Sequence, residues 1–93
     1  MTIAPFELVT RAAFRAWLEC CPPYAIVGYA RSACECPIAQ YLEVLTGVKY
    51  AVTSDTARAP VWIIDFIYAV DRNDFDNSSV SAITALRYLA NIP

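Results

Sequence analysis

Apolar side chains recur along this chain at helical spacing in three stretches and at alternating spacing in one. From Pro5 to Cys20, Phe6, Val9, Ala13, Trp17 and Cys20 return every three or four positions, with Phe14 and Cys21 widening the stripe. This is the pattern of a helix with one buried face. Glu7, Arg11, Arg15 and Glu19 follow at four-residue steps on the other side, so Glu7–Arg11 and Arg15–Glu19 are expected to pair along a solvated face. Pro5 suits a first helical turn, and Cys21-Pro22-Pro23 ends the helix. A second helix starts at Pro37, presents Ile38, Tyr41, Leu42 and Leu45 on one face, and stops at Gly47 as a left-handed cap. A last helix begins near Ser79 or Ser81, either of which can cap it, and buries Val80, Ile83, Leu86, Leu89 and Ala90.

Between these helices the pattern changes. Val48 to Thr53, "VKYAVT", alternates and reads as the clearest strand. Its partner would be Ile26 to Tyr29, a return through "TARAP", or a strand of another molecule. "YAIVGYA", from Tyr24, is a short strand or an irregular crossing, with Gly28 marking a bulge or a close approach. "PVWIIDFIYAV" fits both periods. Its length and Pro60 at its start favour a helix with Trp62, Ile63, Phe66, Ile67 and Val70 inward. Asp65 and Tyr68 then face outward; a strand would instead set Asp65 beside Ile63 and Ile67, where it would need an arginine. The expected fold is a single small α+β domain over residues 1–93, with three to four helices and a two- or three-stranded β element; a mostly α domain is the alternative.

Composition adds one fact to this picture. The 93 residues are 58% hydrophobic and only 17% charged, against norms of roughly 45–50% and about 25%. A domain this small leaves much of its surface wet, so some of that apolar surface is expected to meet a partner. Tyrosine suits such a surface, offering area at low entropic cost and one polar handle. Tyr24, Tyr29, Tyr50, Tyr68 and Tyr88 are therefore the candidate interface residues.

Charge and residue chemistry mainly exclude. The net charge is −2, and the seven basic residues are scattered, which gives no positive face for nucleic acid. The start of the chain lacks a secretory pattern and no apolar run has membrane-spanning length, so a cytoplasmic chain with reduced thiols and no membrane contact is expected. Histidine is absent, which removes Ser-His and Cys-His nucleophiles and histidine metal sites.

The remaining chemistry rests on "RSACECPIAQYL", Arg31 to Leu42. Cys36 stands at the cap position before Pro37, where helix N–H groups lower a thiol's pKa, and Cys34 is placed to resolve it. C-x-C is not the C-x-x-C redox arrangement, however, and Glu35 opposes thiolate formation. Cys20 and Cys21 are adjacent on a helix and diverge by about 100°, so a four-sulfur site with Cys34 and Cys36 is disfavoured; no metal or cofactor is assigned. Asp71, Asp74 and Asp76, with Asn73 and Asn77, lack the glycine and glutamate of a calcium loop and read as a solvated turn. The leading expectation is a non-catalytic protein that binds another protein or itself, as an adaptor does. Small phage-type regulators and inhibitors of host proteins share this compositional profile. The alternative is a thiol-redox or cysteine-metal protein using Cys34 and Cys36.

Overall fold

A computed structural model describes residues 5–52, 59–73 and 79–93. A 3-10 turn, Phe6–Leu8, precedes helix α1, Arg11–Cys20. Strand β1, Ile26–Tyr29, leads to α2, Pro37–Thr46; then come α3, Val61–Asn73, strand β2, Ser79–Ser81, and α4, Ala82–Ala90. The described residues thus form an α+β fold with a two-stranded antiparallel sheet. No helix among them is long and apolar enough to cross a membrane.

The expected unbroken helix from Pro5 is interrupted. Val9 and Thr10 are extended, and Thr10 Oγ1 accepts the Ala13 N–H at 3.1 Å, starting α1 afresh at Arg11. The cause is local: a threonine ahead of a helical run satisfies an orphan N–H that a continuing helix would not leave free. The break also turns the buried face. Phe14 and Leu18 are fully buried and Cys20 is exposed. Arg15 pairs with Glu19 at 3.6 Å, but the expected Glu7–Arg11 pair does not form. Arg11 instead reaches the far end of the chain, donating to the carbonyls of Leu89 at 2.6 Å, Ile92 at 2.7 Å and Pro93 at 2.9 Å. Leu89 lies in the last turn of α4 and Ile92 and Pro93 follow it, so the guanidinium sits at the helix end where the dipole favours a cation.

Gly28 proves to be both a bulge neighbour and a close approach. The β1–β2 register slips between Ile26 and Gly28, which leaves Val27 as the extra residue and buries Val27 and Gly28 in succession. A Cβ at Gly28 would lie 2.5 Å from the Pro37 nitrogen. The first turn of α2 therefore rests directly on the strand.

The Val48 to Thr53 strand is the main correction. Val48 to Val52 forms no strand: Val52 is buried and its N–H donates to the Ala33 carbonyl at 2.8 Å, while Val48 is exposed. Strand alternation needs a ladder partner, and both sides of β1 are taken. β2 occupies one, and the Tyr29 N–H on the other donates to the Glu35 carbonyl at 2.8 Å. Thr53 and most of the "TARAP" return lie outside the described residues. Ser79–Ser81, read as a helix start, supplies the second strand first. Ser81 then caps α4, its Oγ accepting the Thr84 N–H at 3.3 Å. The first N–H groups of α4 donate back across the sheet, Ala82 to Ala25 and Ile83 to Pro23, both at 2.9 Å. The buried face of α4 is consequently Ala82, Ala85 and Leu89. Of the expected residues Val80 and Leu89 are buried and Leu86 packs partly against the core, whereas Ile83 is only half-buried and Ala90 is exposed.

The core centres on Phe14. Its ring lies 5.3 Å from Phe66, 5.5 Å from Tyr41, 5.9 Å from Trp62 and 6.0 Å from Trp17. Helix α3 faces this cluster with Ile63, Phe66, Ile67 and Val70, as the helical reading of "VWIIDFIYAV" expects.

Candidate protein-binding groove

Once α3 turns its apolar side to Phe14, its other side is determined. Asp65, Tyr68, Ala69 and Arg72 follow at i, i+3, i+4 and i+7 and line one stripe of neighbours. Across from them the end of α4 contributes Tyr88, with Asn91, Ile92 and Pro93 after it. Together they form an open groove of about 720 Å³. Tyr68 is 48% exposed, whereas Tyr88 lies against the core on one side and the groove on the other. The side chains of Asp65 and Arg72 make no hydrogen bond or ion pair among the described residues. They stand about 10 Å apart along the helix at 1.5 Å per residue, too far to neutralise one another directly.

The five tyrosines singled out by composition divide accordingly. The structure brings Tyr68 and Tyr88 into this groove. Tyr24, 82% exposed, and Tyr29 flank or end β1 instead, with Ile26 also exposed. Tyr50 packs partly against the core. Sequence reasoning named Asp65 and Tyr68 as outward partners but missed Ala69, Arg72 and Asn91. The missing signal was available for the first two: writing the complement of the buried helical face over 61–73 picks out the whole 65, 68, 69, 72 stripe.

The cysteine stretch builds something different. Cys36 caps α2: its sulfur accepts the Ala39 N–H at 3.4 Å and its thiol donates toward the Val52 carbonyl at 3.7 Å. Burial outweighs the helix N–H groups and pushes the thiol up from 9.0 to about 11. Cys36 is therefore a protonated cap at neutral pH, at the back of a recess of about 190 Å³. Cys34 is exposed, Cys20 is exposed, and Cys21 donates to the Trp17 carbonyl at 3.3 Å. No group of three or more Cys, Asp or Glu residues able to hold an ion occurs among the described residues.

Asp71 is an anchor in this stretch. Its Oδ1 accepts the Arg31 N–H at 2.8 Å and its carbonyl accepts from Arg31 Nη1 at 3.1 Å. These bonds hold Arg31 in a left-handed conformation, φ 57°, which an arginine rarely adopts unaided. Asp74, Asp76 and Asn77 lie outside the described residues, as does the side chain of Asn73.

Folding also gathers Arg11, Arg15 and Arg87, scattered in sequence, beside Glu19 in a second groove of about 340 Å³. Two of the three are engaged, Arg11 by carbonyls and Arg15 by Glu19. Comparison with known proteins finds no family model, no curated protein and no solved structure that matches this chain.

Proposed function

We propose that this protein is a non-catalytic binding domain of the cytoplasm, where its four unpaired thiols stay reduced, and that the α3–α4 groove is its protein-binding face. The observation that carries this reading is the content of the groove: two tyrosines on one open surface with two opposite charges that have no partner among the described residues. Aromatic anchors surrounded by polar groups are what protein interfaces use for area and for orientation. The apolar surplus supports it too. Leu8, Tyr24, Ile26, Val44, Val48 and Val61 all remain about half or more exposed, although the core is closed around Phe14. The cysteines support a structural role in this reading, since Cys36 is occupied as a helix cap and held protonated.

The test is site-specific photocrosslinking in the cell that makes the protein. A benzophenone side chain in place of Tyr68 should give a discrete, saturable protein adduct, whereas the same group in place of Glu7, exposed on the Phe6–Leu8 turn, should not. Equal background labelling at both positions would remove the groove as a binding face.

A further inference from the structure

The stripe on α3 is its own complement. Asp65 and Arg72 stand at its two ends with opposite sign, and Tyr68 and Ala69 sit side by side at its middle. If a second α3 is laid against it antiparallel, with the two-fold axis passing between residues 68 and 69, Asp65 of each copy meets Arg72 of the other. Each Tyr68 then falls over the small Ala69 of its neighbour. A two-fold interface has this property by definition: residue i meets j and j meets i. A parallel arrangement would set Asp65 against Asp65 and Arg72 against Arg72, which charge repulsion disfavours.

Resting on the reading of the groove as a protein-binding face, we infer that its occupant is a second copy of this chain, docked through antiparallel α3 helices. Asp65 and Arg72, unpartnered among the described residues of one chain, are paired across the axis. Tyr88 walls the groove on the α4 side and flanks the partner's Tyr68 ring. Ala69 permits the approach: helices pack at about 8–10 Å only where the side chains at the contact are small enough.

A charge-swap series tests this. Sedimentation equilibrium of the pure chain from about 5 to 200 µM, a range that brackets ordinary micromolar self-association, should show a dimer. Asp65→Arg alone and Arg72→Asp alone each oppose like charges twice per dimer and should weaken it at least about tenfold. The double variant Asp65→Arg/Arg72→Asp restores opposite charges with the signs exchanged and should recover affinity to within about threefold of the parent. A double variant no tighter than the singles, with all chains folded by circular dichroism, would overturn the inference. Should a variant fail to fold, a benzophenone at position 68 of the otherwise unchanged protein decides the matter: a dimer-mass adduct mapped to residues 61–73 supports it, and an adduct elsewhere, or none, overturns it. A monomer throughout that captures a different protein through position 68 in the cell overturns the self-pairing but leaves the binding face standing. A monomer that captures nothing overturns both.

Discussion

Two effects act on the Cys36 sulfur in opposite directions, and their balance decides its chemistry. N–H groups at the start of α2 favour the thiolate; removal from water opposes it and wins, pushing the thiol up to about 11. Ellman's reagent at pH 8 should therefore label the exposed Cys20 and Cys34 quickly and reach Cys36 only after unfolding. Cys36 reacting as fast as Cys34 would contradict the cap. Because the folded-state value lies above the unfolded one, the thiol's contribution to stability is whole below pH 9 and is lost as pH rises toward 11. Urea unfolding of the parent relative to Cys36→Ala should show this difference shrinking across that window by on the order of 2 kcal/mol. Gly28 is a second site where one atom decides. A methyl group there would meet the backbone of Pro37 rather than a yielding side chain. Gly28→Ala is expected to destabilise the fold by about 2 kcal/mol or more, measured by chemical denaturation; an unchanged midpoint would mean that the strand and α2 part easily. Both positions are legible in the sequence alone: a cysteine before proline reads as a cap, and an isolated glycine between apolar residues as a bulge or close approach. The direction of the Cys36 shift is not, because burial depends on Val52, sixteen residues away.

At the scale of elements, α1 is tied to the end of α4 by one guanidinium. Arg11→Met keeps the aliphatic stem and removes the donors to Leu89, Ile92 and Pro93. It should cost about 1–2 kcal/mol and speed amide exchange in the last turn of α4 while α2 is unaffected; uniform exchange across the chain would contradict a local tie. The helices are readable from sequence because a helix satisfies its own backbone, so period, proline and cap residues mostly suffice to locate it. Strand pairing is not, although Ile26 to Tyr29 is readable as a short strand. "VKYAVT" alternates as a strand should, yet a ladder is a property of two segments, and Glu35 and β2 already bond to β1. Ser79–Ser81 is too short to show any period, and its pairing with β1 spans some fifty residues. Local pattern is silent about both.

At the scale of the molecule, the apolar surplus implies that something oily stays outside but not where. Tyr68 and Tyr88 are twenty residues apart and become neighbours only because α3 and α4 present their outer sides to a common groove. Self-association through that groove would make thermal stability depend on protein concentration, since dimer formation draws on folded chains alone. The midpoint should rise by several degrees between about 5 and 200 µM for the parent and clearly less for Asp65→Arg.

The hold of Arg11 on carbonyls 78–82 positions downstream also bears on how the protein comes into being. Helix α1 leans on residues far along the chain, so it has no finished surface to rest on until the region around the end of α4 is in place. Closing a loop of that separation is slow compared with zipping up neighbours. Docking of α1 onto the end of α4 is thus a late event of folding, after the elements between them have formed.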